Sequence, residues 1–155
     1  MIKGVKMAVL RAGFGRADIT PHLGCKLVGY GGRDQGATAV HDPLVARALV
    51  LENEQGCWAL LSADLCYMTN ETVQAVRTAV QQRIGLAPEH ILVATTHTHA
   101  GPHDGAAENW DRPLAAIVTD AVEMAYHARQ PAQIGSGTGV LYGYSINRRW
   151  LDRPI

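Results

Sequence analysis

The chain has 155 residues, of which 47% are hydrophobic and 18% charged, the composition of a folded globular domain. Its 14 lysines and arginines balance its 14 aspartates and glutamates, which argues against nucleic acid as a partner because phosphate binding needs a basic face. No apolar run has the length of a transmembrane helix and no signal peptide is recognised, so we expect one cytoplasmic domain over residues 1–155.

The first half of the chain predicts strands and a glycine-rich loop. A first strand is expected around residues 8–15, and "GYGGRDQGA" at 29–37 is the loop. This loop lacks the spacing of a P-loop or of a dinucleotide-binding motif, so we do not expect a nucleotide site. Two apolar segments, 46–52 and 57–65, flank the turn "NEQG" and predict a β-hairpin.

A helix and a further strand follow this hairpin. Apolar residues recur at helical spacing over 70–84, with Asn70 as the expected N-cap and Gly85 as the terminator. The segment "ILVATT" at 91–96 is apolar on both faces, which is typical of a buried parallel strand. Together with the strand over 58–64, these segments predict a parallel βαβ unit.

The last third of the chain predicts a second helix and a further strand. The helix is expected to begin near Asp111 or Pro113 and to end before Pro131, and the strand to run over the glycine-rich residues 133–143. The predicted fold class is therefore α/β, a mixed β-sheet with helices packed on its faces and a parallel βαβ unit within it.

Three histidines follow the last strand of the βαβ unit, in "THTHAGPHDG". On an extended backbone positions i and i+2 point to the same side, so His97 and His99 can present two imidazoles to one metal ion. Asp64 ends the neighbouring strand, at the same edge of the sheet, where it either caps a loop or orients a ligand histidine. His103 is interpreted as a solvated turn residue. On the residues alone, a metal site and a polar turn both stay open.

The remaining reactive side chains carry weaker signals. The chain has three cysteines, which are Cys25, Cys57 and Cys66. Because their number is odd and they lack Cys-x-x-Cys spacing, they are predicted to be reduced, partly buried thiols. Arg148 has the planar fork that binds a carboxylate or phosphate, although an arginine near a terminus is usually just solvated.

Six segments carry a resemblance to a known family. The chain resembles the amino-terminal domain of the neutral/alkaline ceramidases, a family of zinc amidases. The matching segments occur in the family's order and cover nearly the whole chain: "GFGRADITP", "LVGYGGR", "VHDPLVARALVLE", "LLSADLCYMT", "ILVATTHTHAGP" and "YSINRR".

The resemblance implies a separate role for each matched residue. His97 corresponds to the first histidine of the family's His-Thr-His block, which binds the catalytic zinc. His99 corresponds to the second, which faces the substrate, so we expect it to contact the transition state or handle a proton rather than bind the metal. Gly29 is implied to lie on the substrate-facing loop and Arg148 to contact the substrate. Asp64 stays a candidate for orienting the metal ligands because of its position at the end of the neighbouring strand, and not because of the resemblance.

The resemblance also implies that the zinc site is incomplete in this chain. The family's other ligands, a histidine, a glutamate and a tyrosine, and its serine implicated in catalysis fall after the point where this sequence stops. Because a catalytic zinc needs about three protein ligands, we expect this chain alone to be inactive. A missing carboxy-terminal portion, or a partner copy in a homo-oligomer, would supply the other ligands.

The expected function is therefore that of a fragment of a zinc-dependent amidohydrolase. Its substrate would be an N-acyl amide, a small molecule or a lipid such as ceramide. The first alternative is a non-catalytic binding or assembly module that kept the fold. The second is a barrel-type metal hydrolase opening with His-x-His, which the length disfavours because such a barrel needs about 250 residues.

Overall fold

A computed structural model describes residues 10–143 of the chain. These residues form a five-stranded sheet in the order β4-β3-β2-β1-β5, in which the β3–β4 pair is parallel and the other pairs are antiparallel. The elements are β1 (Arg11–Asp18), β2 (Val45–Asn53), β3 (Gly56–Ala63), α1 (Asn70–Ile84), β4 (Ile91–Thr95), α2 (Leu114–His127) and β5 (Gln130–Pro131). The predicted class, a mixed α/β sheet with a parallel βαβ unit, is confirmed.

The predicted hairpin is formed by β2 and β3, which pair from Ala46–Ala63 to Asn53–Gly56. The side chain of Asn53 accepts a hydrogen bond from the Gln55 amide at 2.8 Å, which closes the turn. β1 lies further along the chain than expected. It runs on to Asp18, whose carboxylate accepts a hydrogen bond from the Thr20 amide at 2.8 Å. This local turn follows the end of the strand.

Helix α1 has the predicted length but a different N-cap. The Thr69 hydroxyl accepts a hydrogen bond from the Thr72 amide at 3.3 Å, so Thr69 is the cap and Asn70 is the first helical residue. Gly85 ends the helix in the left-handed conformation, with φ of 71°, as the sequence predicts. Helix α2 follows Pro113, also as predicted.

Both helices pack on the same face of the sheet, and two glycines of β1 allow α2 to approach closely. A Cβ atom at Gly13 would lie 2.0 Å from the Ala125 carbonyl oxygen, and one at Gly15 would lie 1.9 Å from that of Ala121. The helix and strand backbones are therefore in direct contact. Residues from the strands and from both helices share the buried core, among them Val50, Leu61, Val76, Val80, Ile91, Val118 and Val122.

The opposite face of the sheet is open. Phe14, Leu49, Leu60 and Leu92 are paired in register across four strands, and Phe14, Leu60 and Leu92 are 72%, 41% and 59% exposed. The expectation that β4 is buried on both faces is therefore wrong. β4 lies at the edge of the sheet, and the helices cover only the face that carries Ile91.

Residues 133–143 do not form the predicted strand. Pairing with β1 stops at β5, and beyond it the chain is irregular and exposed, with Ile134 and Val140 more than 70% accessible. Alternate glycines in this segment provide no side chains to pack against a neighbouring strand. Within residues 10–143, neither helix combines the length and apolarity needed to cross a bilayer.

Candidate metal centre

The carboxyl ends of β3 and β4 are joined by hydrogen bonds between the loops that follow them. The Thr96 amide donates to the Ala63 carbonyl oxygen at 3.0 Å. Just after β3, the Cys66 carbonyl oxygen accepts hydrogen bonds from His97 Nδ1 at 2.7 Å and from the Thr95 hydroxyl at 3.4 Å. The parallel pair thus brings the residues after β3 to the predicted histidine cluster, as expected for this edge of a sheet.

His97 stands in an unusual backbone conformation. It has φ of 60°, in the left-handed region that residues other than glycine adopt infrequently. The strand has already ended at Thr95, so His97 and His99 do not lie on a regular extended backbone. Their ring centroids are nevertheless 5.0 Å apart. The two imidazoles converge through a sharp bend at His97 rather than through the alternation of a strand. Non-glycine residues in this region are often found at functional sites.

The hydrogen bond to Cys66 determines the tautomer of His97. A carbonyl oxygen can only accept, so the proton of the neutral imidazole lies on Nδ1 and the lone pair on Nε2. Histidines that bind metals commonly donate their other ring N–H to a backbone carbonyl in this way. The ring of His97 is therefore held in the form that a metal ligand requires.

Cys66 lies beside the two histidines, a contact that the sequence interpretation missed. Its side chain is buried, and its Sγ lies 3.6 Å from His97 Nδ1, the ring nitrogen that donates to the Cys66 carbonyl oxygen. One donor atom each from Cys66, His97 and His99 lie within 4.8 Å of one another. Imidazole nitrogen and thiolate sulfur are donors that zinc prefers, so these residues fit that metal. The sequence could have indicated Cys66 by its position, because Cys66 follows Asp64 by two residues and so lies at the same edge of the sheet.

The glycine-rich loop holds His99 in place. Gly29 has φ of 103°, and a Cβ atom there would lie 2.3 Å from His99 Cγ. The Tyr30 ring makes an edge-on contact with the His99 ring, with centroids 4.8 Å apart. Arg33 donates from Nη1 to the His99 carbonyl oxygen at 2.9 Å and places its guanidinium over the Tyr30 ring. The structure therefore brings Gly29 to His99 and adds Tyr30 and Arg33, which the sequence interpretation did not single out.

Asp64 has partners on β2. Its Oδ2 accepts hydrogen bonds from the Val45 amide at 3.1 Å and from Arg47 Nη1 at 3.0 Å. These contacts tie the end of β3 to the start of β2, which is the loop-capping alternative for this carboxylate. Among the described residues its hydrogen bonds do not include His97 or His99. A role for Asp64 in orienting the metal ligands stays a prediction.

His103 lies in a turn of its own. Its Nδ1 accepts a hydrogen bond from the Gly105 amide at 2.9 Å, and its ring makes an edge-on contact with Tyr67. These contacts agree with its interpretation as a turn residue. Arg148, the predicted substrate-contacting arginine, lies outside the described residues.

The fold and the site together define the class of this protein. They describe an α/β domain with a candidate soft-metal centre where the ends of two parallel strands meet a glycine-rich loop. Residues 10–151 match the family described as neutral/alkaline non-lysosomal ceramidase, N-terminal. The chain therefore belongs to the neutral/alkaline ceramidase family.

Individual relatives agree with this assignment. The chain is 32% identical to a neutral ceramidase of Mycobacterium tuberculosis over 90% of its own length, and 34% identical to neutral ceramidase 3 of Arabidopsis thaliana over 92%. It shares its fold with the crystal structure of neutral ceramidase from Pseudomonas aeruginosa, with a TM-score of 0.70 and 23% identity over 80% of this chain. The chain spans only 25%, 22% and 22%, respectively, of these three proteins.

Proposed function

We propose that this chain forms part of a zinc-dependent hydrolase that cleaves an N-acyl amide bond, with ceramide or a related lipid amide as the substrate. The observation that carries the proposal is the hydrogen bonding of the His97 ring and its position beside His99. Its Nδ1 is engaged by the Cys66 carbonyl oxygen, its Nε2 has no hydrogen-bond partner within residues 10–143, and His99 lies beside it in a ceramidase-family domain.

In this proposal the residues of the site have separate tasks. His97 would hold the zinc, which when bound supplies an activated water and polarises the amide carbonyl. His99 faces the substrate, and its half-buried ring, fixed by Gly29 and Tyr30, suits it to donate or accept a proton at a defined position. The absence of a side chain at Gly29 lets the backbone of the loop pack directly against this ring. Arg148 would contact the polar part of the substrate.

His97 by itself is not sufficient for a catalytic zinc, which keeps about three protein ligands and a water. The curated relatives extend well beyond the part that this chain matches. Further ligands would therefore come from the rest of the full-length gene product or from a partner copy. We expect this chain alone to be inactive. The same proposal includes a cytoplasmic location and, as the source of the other ligands, either a carboxy-terminal portion or a partner copy in a homo-oligomer.

The metal-ligand assignment is tested with His97→Ala in the full-length gene product. We expect the variant to lose zinc on dialysis and to lose hydrolysis of a fluorescent ceramide, while chemical unfolding stays cooperative. Zinc content and released fatty acid are the measurements. His103→Ala is the matched control, since it removes an imidazole from the same loop region and should leave both measurements unchanged. Full zinc occupancy in His97→Ala would contradict the assignment.

Substrate class is tested in the same assay with two kinds of amide. Cleavage of ceramide but not of a short N-acyl amide indicates a lipid amidase, whereas the reverse indicates a small-molecule amidase. If the full-length product retains no zinc and cleaves neither amide, the proposal fails in favour of a non-catalytic binding or assembly module.

A further inference from the structure

We propose that Asp104 is a positioning residue for His97. Its carboxylate ties the loop after β4 to the loop after β3, and this keeps the Cys66 carbonyl oxygen where it holds the His97 ring. The inference rests on the proposed function only in treating His97 as the metal ligand. It goes beyond that function by giving a task to a buried acidic residue that contacts neither histidine of the proposed site.

Among the described residues, Thr69 alone donates hydrogen bonds to the Asp104 carboxylate. The Asp104 side chain has no exposed surface, and its Oδ2 accepts from the Thr69 amide at 2.6 Å and from the Thr69 hydroxyl at 3.0 Å. Its Oδ1 is buried without a hydrogen-bond partner within residues 10–143. His103 Nδ1 lies 3.5 Å from Oδ1 but already accepts the Gly105 amide proton. Because a buried carboxylate is costly unless hydrogen bonds stabilise it, the position of Asp104 depends on Thr69.

The Thr69 hydroxyl connects Asp104 to the start of helix α1. A hydroxyl has one proton to donate, and a carboxylate can only accept, so this proton points to Asp104. The lone pairs of the hydroxyl are then left for the Thr72 amide at 3.3 Å and the Thr72 hydroxyl at 3.0 Å. Asp104 therefore orients the N-cap of α1, where a negative charge also interacts favourably with the helix dipole.

The short segment that Asp104 binds also holds His97. Thr69 lies three residues after Cys66, whose carbonyl oxygen accepts a hydrogen bond from His97 Nδ1 at 2.7 Å. His97 and Asp104 are the two ends of one loop, which we call the histidine loop, so the segment is bound to both of its ends. Loss of the contact at Asp104 would free one end of the loop and loosen the carbonyl that fixes the His97 ring.

The test is the tautomer of His97, read from the side-chain nitrogen NMR shifts of the purified chain at a pH where the ring is neutral. In the wild type the proton should lie on Nδ1, as the hydrogen bond to Cys66 requires. In Asp104→Ala the proton should be shared between both ring nitrogens, because the carbonyl is no longer held. Asp104→Asn should restore the Nδ1–H form, since an amide oxygen can accept both hydrogen bonds from Thr69.

Thr72→Ala is the matched control. It removes the hydroxyl that contacts Thr69 at the same helix start and leaves both hydrogen bonds to Asp104 in place. It should lower the free energy of unfolding without changing the His97 tautomer. In the full-length gene product, Asp104→Ala should weaken zinc binding by about 10–100-fold, whereas Thr72→Ala should not. A loss of stability in Asp104→Ala with an unchanged tautomer would overturn the inference.

A second measurement needs no substitution and so does not depend on a variant folding. Amide hydrogen exchange in the wild-type chain compares the Thr69 amide with the Val28 amide, which donates to the Gly101 carbonyl oxygen of the histidine loop at 2.9 Å. If Asp104 holds this loop, both amides should exchange through the same local opening, with equal free energies of opening. Independent exchange of the Val28 amide would overturn the inference.

The tautomer and the exchange rates are measured without zinc or substrate. They therefore test the role of Asp104 whether or not the full-length product is a hydrolase. The zinc content and the ceramide hydrolysis of the wild-type full-length product decide the proposed function separately, so failure of one proposal is distinguished from failure of the other.

Discussion

Gly29 and His99 are packed so closely that the identity of one constrains the other. Any Cβ atom at position 29 would overlap the His99 ring, and the φ of 103° is a conformation that side chains rarely adopt. On the other side of the contact, Arg33 secures the His99 carbonyl and Tyr30 covers the edge of the ring. The orientation of His99 therefore depends on the glycine-rich loop as much as on its own segment.

The residue-level prediction follows from this packing. Gly29→Val should displace His99 and lower kcat/KM for ceramide in the full-length product by about 100-fold, the scale expected for a misplacement of about 1 Å. Zinc content should stay unchanged, because in the proposed function His97, and not His99, holds the metal. Gly31→Ala is the control, since a Cβ atom there has no neighbour within 4 Å. Equal activity of the two variants would show that Gly29 does not position His99.

Neighbouring side chains of strand β3 lie on opposite faces of the sheet, one in the buried core and one on the open face. Leu61 is 1% exposed and packs in the core with Val76 and Ile91, whereas its neighbour Leu60 points to the open face and is 41% exposed.

Local periodicity predicts α1 and the β2–β3 hairpin because their stabilising contacts are close in sequence. Local periodicity does not predict which strand lies at the edge of the sheet. For this reason the sequence predicts that the apolar β4 segment is buried on both faces, whereas the structure leaves one face open.

The element-level prediction compares the two leucines. Leu61→Ala should lower the free energy of unfolding by about 2–5 kcal/mol, because it leaves a cavity beneath the helices. Leu60→Ala should lower it by less than about 1 kcal/mol, because little surface is removed from the core. Urea unfolding of the purified chain followed by circular dichroism measures both. Similar losses for the two variants would contradict the assignment of the covered face.

At the scale of the whole molecule, the two helices are tied by a network of charges. Arg83 of α1 donates to Asp120 at 2.7 Å and to Glu123 at 3.2 Å on α2, and Arg112 also donates to Asp120. Burial alone would raise the pKa of Asp120, but the hydrogen bonds from the two arginines outweigh it and hold the pKa below its ordinary value. The ionised carboxylate thus stabilises the folded state.

The corresponding prediction concerns pH. Because the pKa of Asp120 is lower in the folded chain, its contribution is fully present above the unfolded-state value of about 3.9 and is lost as pH falls through the folded-state value. Asp120→Asn should therefore lower the free energy of unfolding at pH 7, by about 0.2–1 kcal/mol for a partly exposed network. The difference from the wild type should shrink below pH 4. A constant difference across this range would contradict the role of Asp120.

The sequence by itself determined the α/β class, the hairpin, both helices and the histidine cluster after the parallel strand. These features depend on periodicity and on turn and cap residues, which act over a few positions. It also predicted that Gly29 and His99 belong to one site, through the family resemblance. It did not predict the N-cap at Thr69, because Thr69 and Asn70 are both good caps and only the backbone path distinguishes them.

The tertiary structure alone decided which donors meet. Cys66 and His97 are separated by a helix in sequence, and they come together because β3 and β4 pair in parallel and their following loops share hydrogen bonds. Tyr30 and Arg33 reach His99 through contacts between distant loops. Local sequence patterns likewise do not predict the bend at His97 or the hydrogen-bond partners of Asp64. Such contacts arise from the packing of distant segments, which no short stretch of sequence encodes.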